Sequence, residues 1–148
     1  MTISPKLPFL KTHQLMAIAL GLVYIWFGVL KFFPFLSPAD TIAKATITEL
    51  SFGLIPEDIS ILLLAILETC IGIVLLSGIW RKTIIIITFC HMLCTFTPLF
   101  LFPDMAFSAP MVPKLLGQYI GKNIIILSVL VALYTDKKQP QLPSSSLV

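Results

Sequence analysis

The stretch SILLLAILETCIGIVLLSGI, residues 60–79, decides the fold class of this chain. It is apolar over almost all of its 20 residues but carries one carboxylate, Glu68, near its centre. About 20 apolar residues in a helix are enough to cross the hydrocarbon core of a bilayer. A charge inside such a segment costs at least about 2.5 kcal/mol on insertion scales. The stretch therefore predicts a transmembrane helix whose carboxylate serves a purpose, either structural or functional.

Three further apolar runs have the same character, and each of them contains charged or strongly polar side chains. The runs cover residues 14–33, 83–102 and 115–135. The polar residues in them are Lys31, His91, and Lys122 with Asn123, respectively. The chain is therefore predicted to be an all-α integral membrane four-helix bundle, with a single transmembrane domain over residues 1–135.

Composition excludes several other classes of protein. The 148 residues are 57% hydrophobic and only 11% charged, whereas a soluble domain carries roughly 25% charged residues. No part of the chain is suited to a second, water-soluble domain. The net charge of +3 is scattered over helix ends, so no basic stripe for nucleic acid is predicted. The lipid bilayer is the predicted partner.

The basic residues between the spans predict an orientation. Six basic residues lie before span one, between spans two and three, or after span four. They are Lys6, Lys11, Arg81, Lys82, Lys137 and Lys138. The other two loops hold only Lys44 and Lys114. By the positive-inside rule both termini are expected in the cytoplasm. Residues 136–148, rich in Pro, Ser and Gln, are expected to form a disordered cytoplasmic tail.

The outer loop between the first two spans predicts a short amphipathic helix at 38–50. Ser37 is expected to be its N-cap, with Asp40 in the first turn. The residues that share one face are Ala39, Ile42, Ala43, Thr46 and Leu50, before Gly53 ends the pattern. Such a helix either covers the outer mouth of the bundle or only anchors the loop at the interface.

The polar groups inside the spans are expected to face one another. The candidate ligand-binding residues are Lys31, Glu68, His91, Gln118, Tyr119, Lys122 and Asn123. Glu68 is the expected counter-ion of Lys122, of Lys31 or of both, although an ion pair that only fixes helix packing explains the pattern as well. His91 either handles protons or is a neutral core histidine.

Small residues beside this cluster predict a cavity. Gly28, Gly72 and Gly121 are too small to fill the space near the charged groups. We therefore expect a polar cavity that opens toward the outer half of the membrane, with the helix at 38–50 as its lid. A pocket with apolar walls and a few convergent polar groups is the usual form of a ligand site.

The three cysteines indicate neither a metal site nor a thiol relay. Cys90 and Cys94 are four residues apart, Cys70 lies in another span, and no CxxC motif is present. A structural zinc site requires four ligands, which this region does not supply. Free cysteines in such positions usually behave as small hydrophobic residues.

Three short motifs resemble those of DoxX-like membrane proteins. They are YIWFGVLKF at 24–32, LETCIG at 67–72 and GQYIGKN at 117–123. The resemblance covers most of residues 14–135 and implies a small four-span protein of the prokaryotic inner membrane. Some members of that family are named with quinone-linked sulfur oxidoreductases, and others with oxidative-stress responses.

The resemblance implies a membrane subunit or accessory factor for quinone-linked redox or oxidative-stress chemistry. A quinone would be its cofactor and a redox enzyme its partner subunit, and a homo-oligomer is compatible with this role. Two alternatives use the same residues. One is a transporter of small molecules or protons, and the other is a non-catalytic assembly factor with a structural ion pair. The sequence leaves open whether the protein is an enzyme.

Overall fold

The structure is a computed structural model that describes residues 12–33, 36–37, 39–79 and 81–135. The predicted tail at 136–148 lies outside the described residues. The same is true of four of the residues used to predict the orientation, namely Lys6, Lys11, Lys137 and Lys138.

The described chain consists of helices joined by short connections and one small hairpin. The helices are α1 (Thr12–Leu30), α2 (Asp40–Leu50), α3 (Glu57–Ser77), α4 (Arg81–Cys94), α5 (Pro98–Leu101), α6 (Pro103–Ala106), α7 (Leu115–Gly121) and α8 (Asn123–Thr135). The strands β1 (Phe107–Ala109) and β2 (Val112–Pro113) pair antiparallel. The predicted all-α bundle with a short helix between the first two spans is confirmed.

Four helical segments are long and apolar enough to cross a membrane. They are Thr12–Leu30, Glu57–Ser77, Lys82–Leu101 and Leu115–Thr135. Many of their large apolar side chains are exposed on the bundle surface, where lipid covers them without cost. The chain is therefore a multi-pass membrane protein. We call the end that carries α2 and the hairpin the loop end, and the opposite end the turn end.

The core lies between α1, α3, α4 and α8. Its buried apolar side chains are Leu20, Tyr24, Ile71, Leu75, Ile84, Ile85, Met92, Leu130 and Leu133. Helices α1 and α3 form the closest contact of the bundle, because glycines face the partner backbone. A Cβ atom added to Gly28 would lie 2.6 Å from Thr69 Oγ1 and 2.7 Å from Thr69 N. One added to Gly72 would lie 2.7 Å from Gly21 O and from Ile25 N.

The prediction that Gly28 and Gly72 leave space for a cavity is therefore wrong at both positions. The facing helix occupies that space, since small residues let two membrane helices approach closely. Only Gly121, of the three glycines in that prediction, has open space where a side chain would be.

Helix α1 ends well below the loop end of α3. Gly28 faces Glu68, whose Cβ lies 3.1 Å from a Cβ built at Gly28. At about 1.5 Å per residue, Glu68 is about 16 Å from the start of α3, and Lys31 is about 4 Å beyond Gly28. Lys31, just past the end of the first span, thus lies about 12 Å short of the start of α3. Helix α2 packs beside α3, and Lys44 Nζ lies 3.9 Å from Asp58 Oδ1 in the first turn of α3.

Helix α2 begins later than predicted, and Ser37 is not its N-cap. The cap position is Ala39, which makes no side-chain capping bond. The carbonyl of Ser37 instead accepts a hydrogen bond from Asp40 N at 3.3 Å, which forms a turn before the helix. The helix stops where Phe52 and Gly53 take left-handed conformations, with φ of 52° and 75°. The predicted end at Gly53 is thus close to the observed one.

The third and fourth spans are each interrupted in their loop-end half. In the third, α4 ends at Cys94 and α5 starts at Pro98, because proline lacks the N–H that a continuous helix needs. In the fourth, Lys122 separates α7 from α8 but keeps a helical φ of −63° and ψ of −20°. The fourth span is therefore nearly continuous.

Candidate functional site

Lys31 and Glu68 form a buried ion pair between the first two spans. Lys31 Nζ donates to Glu68 Oε2 at 2.5 Å and also approaches the carbonyl of Phe27 at 3.4 Å. Both charged residues are only 8% exposed. Opposite charges taken out of water need such close pairing, because either one alone carries a large desolvation cost.

The direction of α1 explains why Lys31 reaches Glu68. Helical side chains lean toward the N-terminus of their own helix. Helix α1 runs from the turn end to the loop end, so the side chain of Lys31 leans back into the bundle. Its contact with the carbonyl of Phe27, one turn earlier, agrees with this direction.

The third span adds His91 to the pair. His91 Nε2 lies 3.7 Å from Glu68 Oε1, the carboxylate oxygen that Lys31 does not use. This separation is longer than a hydrogen bond but short enough for strong electrostatic coupling. Glu68 is therefore shared between a lysine on one side and an imidazole on the other.

Tyr24 completes the group from the first span. Its hydroxyl lies 3.1 Å from His91 Nδ1, and the two rings meet edge to face with centroids 5.7 Å apart. We call Tyr24, Lys31, Glu68 and His91 the intramembrane network. Tyr24 is not among the sequence-predicted site residues, although it shares with Lys31 the arc of the first span that faces the second.

The contacts of His91 define two arrangements of its proton. When the hydroxyl of Tyr24 donates to Nδ1, the imidazole proton sits on Nε2 and faces the carboxylate of Glu68. When Nδ1–H donates to the Tyr24 oxygen, the lone pair of Nε2 faces Glu68, which is favourable only if that carboxyl is protonated. A proton that passes from Glu68 to Nε2 in the second arrangement gives an imidazolium whose Nδ1–H still donates to Tyr24, so the Tyr24 hydrogen bond reverses only if the ring then loses its Nδ1 proton.

Asn123 belongs to a separate polar contact. Its Nδ2 donates to Thr95 Oγ1 at 2.9 Å. Thr95 follows the end of α4, so this bond joins the fourth span to the third at the interruption before Pro98. It fits the common use of amide side chains between membrane helices.

The remaining candidates of the fourth span lie outside the network. Gln118 and Lys122 are exposed, and Gln118 Nε2 donates to the Pro113 carbonyl at 3.2 Å. Tyr119 is 49% exposed. Within the described residues Glu68 forms an ion pair with Lys31 and lies close to His91, and no ion pair with Lys122 is present. The sequence predicts Lys122, Lys31 or both as counter-ions of Glu68, and in the structure the counter-ion is Lys31.

Two cavities of the described structure lie at the ends of the bundle. One of about 470 Å³ lies at the hairpin, against residues 103–104 and 107–111. The other, of about 340 Å³, lies at the turn end and includes Gln14, Ser77 and Leu133 in its wall. Neither is lined by a residue of the intramembrane network.

The cysteines lie apart from this chemistry. Cys70, Cys90 and Cys94 are free thiols on the exposed surface. In the described ranges, no group of three or more His, Cys, Asp or Glu side chains is arranged to hold a metal ion.

Comparison with protein-family models, with curated proteins and with solved structures finds no match to this chain. The likeness to DoxX-like proteins therefore rests on the three short motifs alone. Two of those motifs contain residues of the network, namely Tyr24 and Lys31 in the first and Glu68 in the second.

Proposed function

We propose that the intramembrane network binds the polar head of a quinone, so that the protein serves as a membrane subunit or accessory factor in quinone-linked redox or oxidative-stress chemistry. One observation carries this proposal. Four side chains that can donate or accept protons, from three spans, meet inside a membrane bundle at separations of 2.5 to 3.7 Å. Ionisable groups at such a depth usually mark a functional site.

The network has the chemistry that such a ligand requires. A quinone supplies two carbonyl acceptors and, on reduction, takes up two electrons and two protons. Lys31 is a donor, and His91 can donate through Nε2. Lys31 Nζ lies 2.5 Å from one oxygen of Glu68 and His91 Nε2 lies 3.7 Å from the other, so both donors border the same carboxylate. Tyr24 fixes the orientation of the imidazole through Nδ1.

The electrons have to come from a partner. The chain has no CxxC pair for thiol chemistry, so we propose a redox enzyme as the partner subunit. The role of this chain is then to hold the ligand and to exchange protons through Glu68 and His91, while the partner supplies the electrons.

A binding experiment tests this proposal directly. The purified full chain is placed in nanodiscs, its lipid extract is examined by mass spectrometry, and quinone affinity is titrated. We expect His91→Ala to weaken quinone binding at least about tenfold, because a hydrogen bond in a buried site is worth about 1.5 kcal/mol. The matched control is Glu49→Gln at an exposed position of α2, which should bind as the unmodified chain does. Equal affinity of the chain and the His91 variant would contradict the proposal.

A proton pathway is the second candidate function, because the groups form one continuous series. From Tyr24 through His91 to Glu68 and Lys31, each neighbouring pair lies within 3.7 Å. Proteoliposomes loaded with a pH-sensitive dye distinguish the two functions. Proton flux without quinone, which Glu68→Gln abolishes and Glu49→Gln retains, would support the pathway.

We also propose that the protein lies in the inner membrane with both termini in the cytoplasm. Because the number of candidate spans is even, Thr12 and Thr135 are expected at the same end, and the basic residues favour the cytoplasm for that end. Cysteine labelling at Lys44→Cys and Lys82→Cys in intact cells tests the orientation. Position 44 should react from outside and position 82 only after the membrane is opened, and the reverse result would overturn the assignment.

A further inference from the structure

Lys122 is an exposed charge inside a membrane span. It lies seven residues past the start of the span Leu115–Thr135, which is about 10 Å along the helix axis. Its side chain lies on the bundle surface rather than between the helices. A lysine at such a depth is costly when it faces hydrocarbon alone, so it requires a partner or a route to the interface.

Two more polar side chains lie above Lys122 on the same face of the fourth span. At 100° per residue, Lys114, Gln118 and Lys122 fall within an arc of about 80°. All three are exposed. They form a polar ridge, defined here as Lys114, Gln118 and Lys122, that leads from the hairpin into the span.

The direction of the fourth span determines which way the side chains of the ridge extend. The span begins at the loop end, and helical side chains lean toward the N-terminus of their helix. The long side chain of Lys122 therefore extends toward the headgroup region of that leaflet. Lysines near helix ends reach polar headgroups in this way while their methylene groups stay in the apolar layer.

The surface beside Lys122 has room for a hydrocarbon chain. A Cβ built at Gly121 meets no atom within 4 Å. One turn farther into the membrane, Ile125 is 66% exposed. Gly121 and Ile125 therefore form a shallow apolar surface on the membrane side of Lys122.

We propose that the polar ridge binds the phosphate of an anionic phospholipid, whose acyl chain runs along Gly121 and Ile125. Charge complementarity selects this occupant, because the ammonium group of Lys122 and that of Lys114, which also donates to the Asp104 carbonyl at 2.6 Å, border the same ridge. The site is separate from the intramembrane network and does not depend on the quinone proposal.

Native mass spectrometry of the full chain tests the lipid site. The protein is released from nanodiscs that contain phosphatidylcholine with a minor fraction of phosphatidylglycerol, and the retained lipids are counted. We expect enrichment of phosphatidylglycerol, and a loss of about fivefold in that enrichment for Lys122→Gln, from the typical contribution of one lysine near a membrane surface. Lys82→Gln, which removes an exposed lysine at the turn end, is the matched control and should lose clearly less of the enrichment than Lys122→Gln.

Further variants keep the result decisive. Lys122→Arg retains the charge and should retain the lipid, which excludes a general effect of substitution. Equal enrichment in the chain and in Lys122→Gln would overturn the proposal. Thermal protection by inorganic phosphate equal to that by phosphatidylglycerol would also overturn it, because it would indicate a site for free anions. Cross-linking of Lys122→Cys between two copies in nanodiscs would overturn it as well, because a second chain would then cover the ridge.

Discussion

Lys31 and Lys122 carry the same charge at similar axial distances from a helix start at the loop end, yet their surroundings are opposite. Lys31 lies about 12 Å below the start of α3, and Lys122 about 10 Å below the start of α7. Lys31 is 8% exposed and donates to Glu68, whereas Lys122 is exposed on the surface of the fourth span. The axial distance from the loop end therefore does not determine the surroundings of either lysine.

Helix direction accounts for the difference. The first span runs toward the loop end and the fourth runs away from it. Because side chains lean toward the N-terminus of their helix, Lys31 leans into the bundle and Lys122 leans toward the headgroups. Glu68 lies opposite Gly28, one turn before Lys31, and is thus in place to receive it. Helix direction thus gives Lys31 a partner inside the bundle and leaves Lys122 on its surface.

The largest expected effect comes from removing the charge that Lys31 meets. Glu68→Leu should lower the free energy of unfolding by about 3–5 kcal/mol, because it leaves Lys31 buried and unpaired. Glu68→Gln should cost less, since the amide oxygen still accepts a hydrogen bond from Lys31. Thermal melting of both variants in the same detergent measures the difference.

Glu49→Leu, on the exposed side of α2, is the control for this pair of variants. It should melt close to the unmodified chain. If Glu68→Leu and Glu68→Gln melted at the same temperature, the carboxylate of Glu68 would not be what holds Lys31 in the bundle.

The second-largest effect is expected at the glycines beside Lys31 and Lys122, which differ in how closely they are packed. Gly28→Ala should destabilise by about 1–3 kcal/mol, because the new Cβ meets the backbone N of Thr69 at 2.7 Å. Gly121→Ala, beside Lys122, meets open space and should be neutral or slightly stabilising, since alanine is the better helix former. Unfolding in a denaturant series measures the free energy of unfolding of both variants. Equal losses of stability in the two would contradict the close contact at Gly28.

A smaller effect is expected at the far side of the network. Tyr24→Phe keeps the ring and removes the hydroxyl that meets His91 Nδ1 at 3.1 Å. The loss should be about 1–2 kcal/mol, because it leaves one buried ring nitrogen without that partner. Tyr134→Phe, at an exposed tyrosine, is the matched control. A Tyr24 variant as stable as this control would mean that the hydroxyl does not stabilise His91.

The smallest effect is expected at Lys122. In detergent, Lys122→Leu should change the free energy of unfolding by less than about 0.5 kcal/mol, as is usual for an exposed side chain without a structural partner. The same melting assay as for Glu68 measures it. A loss as large as that of Glu68→Leu would show that Lys122 is held inside the folded bundle, and would remove the contrast between the two lysines.

The sequence by itself determined the spans, the short helix between the first two, and much of the inward-facing arc. These features depend on apolar run length and on the helical period, which are local properties of the chain. The interruption near Pro98 is also local, because it follows from the missing N–H of one residue. For the same reason Glu68, Lys31 and His91 are recognisable as candidates from their positions inside apolar runs.

Only the tertiary structure decided which of these groups meet. The choice of Lys31 over Lys122 as partner of Glu68 depends on the offset of α1 against α3 and on the direction of each span. The space near Gly28 and Gly72 depends on the backbone that packs against it, and that backbone comes from a distant part of the chain. The contact of Tyr24 with His91 joins residues 67 positions apart. Helical periodicity fixes the face on which a side chain lies, but its partner is fixed by how neighbouring helices are aligned along their axes.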